Sequence, residues 1–237
     1  FEGMCGRSTL HDAPVSVLGK FHLPPLLPGF KPRYNIVPSQ DQWTIVLDDS
    51  AKPAARLLRW GLVPSWADNP SIGARLINAR SDAVAAKPSF KESFRNRRCV
   101  ILADGYYEWG GVGKARAPYF FHLDGHRDFA LAGLWDRWQR GDEVLQTCII
   151  ITTQSSPFAA RVHHRMPVVL APDHAVEWVD AATKDSRLLD LMEPYSGGDL
   201  TTYEVSNIVN SPANDGVECI APAPPKPLPI ELSLFDL

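Results

Sequence analysis

Runs of apolar, β-branched and aromatic residues recur along the chain, at 43–47, 99–103, 119–123, 129–134 and 144–152. Short runs of this composition are the pattern of strands, so the chain reads as a β-rich core. Helical spacing is rarer. It appears over 172–180, where Val176 and Val179 lie near Trp178, and over 185–192. A third helical stretch, 10–18, is weakened by Pro14, which has no backbone N–H to donate. The 21 prolines predict long connections that run through extended turns. No repeat or low-complexity insert interrupts residues 5–220, and no boundary divides them.

The two ends differ from the middle. Phe1, Glu2 and Gly3 stand before Met4 and read as a scar ahead of the true start. One domain is expected over residues 4–221. Residues 222–237 open Pro-rich and close on a short apolar-acidic stretch, the composition of an extended tail.

At 237 residues, 45% hydrophobic and 22% charged, the chain can bury a core without staples. That argues against wholesale disorder and against a disulfide miniprotein. No run of about 18 apolar residues predicts a membrane span, and the N-terminus lacks the pattern of a secretory signal. Cys5, Cys99, Cys148 and Cys219 are widely spaced without a CxxC pair. A zinc site or a disulfide framework is therefore not expected, no cofactor is implied, and a reducing cytoplasm is the predicted compartment.

Net charge is only −3, but it is unevenly spread. Residues 1–100 hold 14 Lys/Arg against 8 Asp/Glu, and residues 101–237 hold 10 against 19. Arg outnumbers Lys by 16 to 8. The planar guanidinium suits phosphate oxygens, so a local basic surface for nucleic acid is one reading. Solvated faces and surface ion pairs are the other.

Several segments carry candidate chemistry. Cys5 follows Met4 directly, so removal of Met would expose an N-terminal Cys. Its α-amine, with a reference pKa of about 7.7–8.0, and its thiol, near 8.5, are two nucleophiles on adjacent carbons. An aldehyde can condense with the amine, and the thiol can close on the imine to give a thiazolidine. Cys5 is otherwise a small buried hydrophobe. Trp60 and Trp66 flank a Gly/Pro turn, as core packing or as a platform for bases. Asn78, Arg80 and Ser81 put an amide, a guanidinium and a hydroxyl side by side. A helix cap is the other reading of Asn78. Glu108 lies between Tyr107 and Trp109, where lost solvation should raise its pKa toward neutrality and suit a general acid/base. His163 and His164 are expected to diverge, one facing a site while Arg165 faces a phosphate.

Taken together, the segments MCGR, YNIVPSQ, WGLVPSW, INARSD, ADGYYEW and HHRMPVVL closely resemble the SOS response-associated peptidase (SRAP) family of abasic-site processing proteins. The resemblance runs from Met4 to about Ala221. It implies an α+β fold, a single β-rich domain with a twisted barrel-like mixed sheet core and a few peripheral helices. It implies covalent capture of abasic sites in single-stranded DNA through a thiazolidine, and a peptidase acting on the chain's own N-terminus. By motif, Cys5 is the nucleophile, with Asn78, Glu108 and His163 as its catalytic partners. Arg7, Arg80 and Arg165 match positions that hold DNA phosphates. Trp66 and Phe90 match wedges or stacking residues beside the lesion, and Asn35 a residue that shapes the DNA site. No metal is implied. If residues 1–4 stay in place, the Cys5 nitrogen is an amide and cannot form the imine.

The tail segment Glu231, Leu232, Ser233, Leu234 and Phe235 resembles the pentapeptide that binds the bacterial sliding clamp, with Glu in place of the usual Gln. Its alternative is a tail packed on its own domain. Two other functions stay open: a Cys-dependent peptidase or amidohydrolase, and a non-catalytic single-stranded DNA binding module that needs neither Cys5 nor Glu108.

Overall fold

The computed structural model describes residues 5–224. The tail pentapeptide Glu231 to Phe235 lies outside them. The chain opens with β1 (Ser8–Leu10), passes through α1 (Val15–Lys20) and returns in β2 (Arg33–Ile36). A hairpin of β3 (Asp41–Leu47) and β4 (Pro53–Trp60) follows. Next come β5 (Asn78–Arg80), α2 (Pro88–Asn96), β6 (Arg98–Ala103) and β7 (Gly105–Gly110). Longer strands then run in succession: β8 (Ala117–Leu123), β9 (Phe129–Arg140) and β10 (Glu143–Gln154). Short β11 (Arg165–Pro167) and β12 (Val169–Leu170) lead to α3 (Pro172–Val179), α4 (Asp185–Leu191) and β13 (Leu200–Glu204).

Five strands close on themselves. β3 pairs β4, β4 pairs β10, β10 pairs β9, β9 pairs β6, and β6 pairs back to β3. The β4–β10 contact is parallel and short, Thr147 opposite Arg59 and Cys148 opposite Trp60. Beyond it β10 is joined in parallel by β5, with Ile150 opposite Asn78. A second, five-stranded sheet runs β13-β8-β7-β1-β2. The architecture is thus α+β, a barrel of mixed strands with an added sheet and few helices.

Alternation along the barrel strands sorts the core into two faces. Ile45, Val100, Ala132, Leu134 and Ile149 pack with the helices, Trp178 of α3 among them. Val46, Cys99, Ile101, Leu131 and Cys148 pack toward Tyr106 of β7 and Phe121 of β8 in the second sheet. β6 is buried at every position, and past Arg98 it reads as an unbroken apolar run, Cys99 to Ala103. Gly105 permits the tight start of β7, because a Cβ there would lie 2.3 Å from the Phe120 ring.

Each of the expected strand runs falls within a strand, and the helical stretches at 172–180 and 185–192 form α3 and α4. The stretch 10–18 is corrected. Leu10 ends β1, and the helix starts only after Pro14, at Val15. Pro14 supplies the carbonyl that accepts from Leu18 but cannot extend a helix upstream.

Candidate active site

Cys5 sits just before β1, 2% exposed, where the second sheet faces the barrel. Its backbone has φ of 45°, a left-handed conformation that a non-glycine residue adopts at a cost of roughly 1–3 kcal/mol. Both of its reactive atoms converge on one oxygen. Cys5 N–H and Cys5 Sγ each donate to Oε1 of Glu108 at 2.6 Å. Glu108 lies in mid-β7 on the same side of the strand as Tyr106, 2% exposed. Burial raises its carboxyl from the ordinary 4.5 to about 7, against the opposing pull of the Cys5 thiol and N–H. Burial also pushes the Cys5 thiol well up, and the Glu108 charge adds to this while Arg165 opposes it. At neutral pH the thiol is protonated and the carboxyl is close to half ionised, the state of a base and its proton donor in contact.

The barrel sheet brings the remaining groups. Asn78, first residue of β5, directs Nδ2 at the Cys5 carbonyl, 3.4 Å away. His163 lies in the turn before β11, with Nδ1 3.9 Å from Oε2 of Glu108. That nitrogen also sits at the Arg165 backbone, 3.2 Å from its N–H and 3.1 Å from its carbonyl. Burial lowers the His163 pKa, so the ring is neutral at pH 7. Cys5, Asn78, Glu108 and His163, distant in sequence, therefore meet at one place. The expected divergence of the two histidines is corrected: the rings of His163 and His164 lie 4.4 Å apart, tilted by 40°.

A cleft of about 860 Å³ is lined by Gly6, Arg7, Ile77 and Trp109, the chain neighbours of Cys5, Asn78 and Glu108, which do not line it themselves. Trp60, Val63, Pro38 and Trp109 give it apolar walls, and Arg7, Arg59 and Arg116 bring positive charge. Its floor needs Gly61, whose φ is 129° and whose Cβ would stand 2.7 Å from the Gly73 carbonyl oxygen. Arg7 Nε is buried and meets no hydrogen-bond partner among the described residues. A basic, aromatic-walled groove of this kind suits a single nucleic-acid strand.

Other expected contacts are placed differently. Phe90 is 2% exposed on the inner face of α2 and belongs to the helix-side core, so it cannot serve as a stacking surface. Its apolar side chain is drawn inward by the same helix face that buries Phe94. Asn35 is fully buried, and its Nδ2 donates to the carbonyls of Val209, Ser211 and Asn214. It is too buried to touch DNA itself and instead ties down the loop that carries Asn210 at the cleft. Arg165 is also buried, its guanidinium turned onto Thr152, with Nη2 2.5 Å from the Thr152 carbonyl. It acts as a fixed charge near Cys5 instead of an open phosphate clamp. Arg80 is exposed and paired with Asp82 at 2.5 Å. Trp66 is 55% exposed, in the turn after β4. Sequence reasoning missed Thr152, Arg116 and Asn210, which no local motif marks. Trp109 was visible only as a neighbour of Glu108. Among the described residues no group of three or more His, Cys, Asp or Glu is arranged to hold a metal ion. No helix among them is long and apolar enough to cross a membrane.

A β-barrel with an appended sheet, carrying a buried Cys–Glu contact at the start of the chain, defines the class. The profile of the SOS response associated peptidase (SRAP) family matches residues 4–212, and the chain belongs to that family. The abasic site processing protein YoaM of Bacillus subtilis is 39% identical over 222 residues, 92% of this chain and 97% of the relative. The abasic site processing protein HMCES of Gallus gallus is 35% identical over 227 residues, 81% of this chain and 67% of the relative. A crystal structure of a protein from Bacteroides thetaiotaomicron superposes with a TM-score of 0.80 over 92% of this chain and all of that one. At 23% identity this likeness concerns the fold alone.

Proposed function

We propose that this protein processes abasic sites, capturing the lesion aldehyde in single-stranded DNA as a thiazolidine on Cys5 once the Cys5 nitrogen is a free amine. The observation that carries the reading is the convergence of Cys5 N and Sγ on a single Glu108 oxygen, 2.6 Å from each. Two nucleophilic atoms sharing one acid/base of pKa about 7 is what sequential imine formation and ring closure require.

The ring-opened abasic sugar presents an aldehyde. The amine adds to its carbon, and Glu108 carries two protons in turn from nitrogen to oxygen, first to give the carbinolamine and then to release water and give the imine. The thiol then adds across the C=N bond. A C–S bond forms, the thiol proton passes to Glu108, and nitrogen recovers a proton to give the neutral ring. Asn78 holds the Cys5 backbone in place, and the neutral His163 ring donates toward oxygen as charge develops. Arg7 and the cleft hold the strand.

The same contact supports a peptidase step on the chain itself. With Cys5 in a peptide bond, Sγ can attack the Met4 carbonyl while Glu108 passes the thiol proton to the departing Cys5 nitrogen. The resulting thioester between Met4 and Cys5 is then hydrolysed by water, leaving a free amine. For the tail, we propose that Glu231 to Phe235 engages a sliding clamp. Titration of a clamp with a peptide of residues 228–237 tests this, and no binding at high micromolar concentration ends it.

The deciding experiment mixes an oligonucleotide carrying one abasic site with the 237-residue chain and with a form beginning at Cys5, on a denaturing gel. A shifted band for the Cys5-starting form is expected. It should be lost in Cys5→Ala, which still binds the strand. A band for the longer chain requires prior cleavage, seen by mass spectrometry as loss of residues 1–4. No band for either form overturns the capture reading.

A further inference from the structure

Arg7 and Trp109 stand together on the cleft wall. Both are held by one residue remote from them in sequence. The Trp109 indole Nε1–H donates to Oδ1 of Asn210 at 2.8 Å. The Arg7 guanidinium donates to the backbone carbonyl of the same Asn210 at 3.0 Å. Arg7 also lies over the Trp109 ring, 5.9 Å from its centre. The three residues form a closed triangle on the wall of the groove.

Asn210 is exposed, yet it stands on a rigid mount. The surrounding loop is tied from inside by Asn35, whose Nδ2 donates to the carbonyls of Val209, Ser211 and Asn214 at 3.1, 3.1 and 2.7 Å. Asp215 accepts the backbone N–H groups of Tyr34 and Asn35, both at 2.7 Å, and pairs with Arg33. Asn214 Nδ2 donates to the Ile208 carbonyl at 2.7 Å. The loop is thus fixed to β2, which lies at the edge of the second sheet, and its tip is presented to the cleft. An exposed amide is free to take water as its partner. Here its Oδ1 accepts from the one polar atom of an indole that lines the groove, and its Nδ2 donates to Oδ1 of Asn207 at 3.4 Å.

We propose that Asn210 is a positioning residue for strand binding: it fixes the Trp109 indole beside Arg7, so that the ring receives the base next to the lesion while the guanidinium takes a neighbouring phosphate. The proposal rests on the function proposed above. Stacking of a base on an aromatic ring requires the ring to be presented in one orientation, and pre-setting that orientation removes an ordering cost from binding.

Asn210→Ala keeps the backbone carbonyl used by Arg7 and removes the acceptor for the indole, together with the long 3.4 Å contact from Asn210 Nδ2 to Asn207 Oδ1. The test measures Kd of the 237-residue chain for an oligonucleotide with a tetrahydrofuran abasic analogue between adenines. Wild type, Asn210→Ala, Trp109→Phe and the double variant are compared across salt concentrations. Asn210→Ala is expected to bind about three- to tenfold more weakly, the loss of one ordinary hydrogen bond. Its salt dependence should be unchanged, because the phosphate contact of Arg7 persists. The effect should vanish in the Trp109→Phe background, where no indole N–H exists. It should also vanish when the flanking adenines are themselves replaced by the abasic analogue. Wild-type binding with Asn210→Ala within about 1.5-fold overturns the proposal, as does an equal loss in the Trp109→Phe background. A wild type that does not bind the analogue at all overturns the proposed function and this inference with it.

Discussion

Replacing Glu108 by Gln should make the protein more stable at alkaline pH while removing its proton carrier. Folding raises the Glu108 carboxyl from the ordinary 4.5 to about 7, chiefly through burial. A carboxyl raised in the folded state favours its protonated form. Its burial therefore costs nothing below about pH 4.5. The penalty grows as the unfolded chain ionises first, and it is complete above about pH 7. A shift of roughly 2.5 units at 1.36 kcal/mol each gives about 3 kcal/mol at pH 8, and less than about 0.5 kcal/mol at pH 4.5. Gln is never ionised and escapes this penalty. Its Nε2 would replace Oε2, which has no hydrogen-bond partner among the described residues. That adds an offset independent of pH, so the change in the difference between the two pH values carries the prediction. Urea or thermal unfolding of both proteins at pH 4.5 and 8 measures it. For a chain of this length about 3 kcal/mol corresponds to roughly 6–12 °C in Tm. A wild-type-to-variant difference that stays flat within about 0.5 kcal/mol across the two pH values refutes the claim that burial holds this carboxyl near 7. The same substitution should slow abasic-site capture about 10²- to 10⁴-fold, the usual contribution of a positioned acid/base.

Phe90→Ala empties a core site and should cost about 3–5 kcal/mol in unfolding free energy, with strand affinity of the folded protein unchanged. Trp66→Ala, at a residue 55% exposed, should shift stability by less than about 0.5 kcal/mol, and any loss of DNA affinity marks the turn after β4 as part of the interface. Asn35→Ala leaves three carbonyls without their donor. It should cost about 2–4 kcal/mol and speed amide exchange over residues 207–216, measured by mass spectrometry.

Four of the five barrel strands, β3, β6, β9 and β10, were legible because each holds a dense apolar run, as at Cys99 to Ala103 in β6 and Trp43 to Leu47 in β3; β4, interrupted by Arg56 and Arg59, was not. β1, β5 and β11 were not, since three residues carry no period and these strands exist only through their partners. They are the strands that begin or follow the site residues Cys5, Asn78 and Arg165, so motif wording found residues that periodicity missed. The wording gave identities without orientation. Phe90 and Asn35 are both buried, and their burial depends on what packs against them, α2 on the barrel in one case and the 207–214 loop in the other. The pairing of Asn210 with Arg7 and Trp109 spans 203 and 101 positions and leaves no trace in either local sequence.

Freeing the Cys5 nitrogen changes the donor at Glu108 more than the geometry. An amide N–H 2.6 Å from Oε1 becomes an α-amine with a reference pKa of about 7.7–8.0. An ammonium at that distance favours the carboxylate, so Glu108 should fall below 7 and the amine should rise above its reference value. The two then titrate as a pair. The reactive state, neutral amine beside protonated carboxyl, holds as many protons as the ion pair. The pair can therefore supply its own nucleophile without drawing on bulk base, and capture should be flat with pH between its two apparent pKa values. The stability comparison gives an independent check. In the form beginning at Cys5, the growth of the Glu108→Gln difference from pH 4.5 to 8 should be smaller than in the longer chain, because the ammonium offsets the burial penalty of the carboxylate. Growth as large as in the longer chain would mean that the freed amine does not lie against Glu108, and the shared-oxygen mechanism would fail with it.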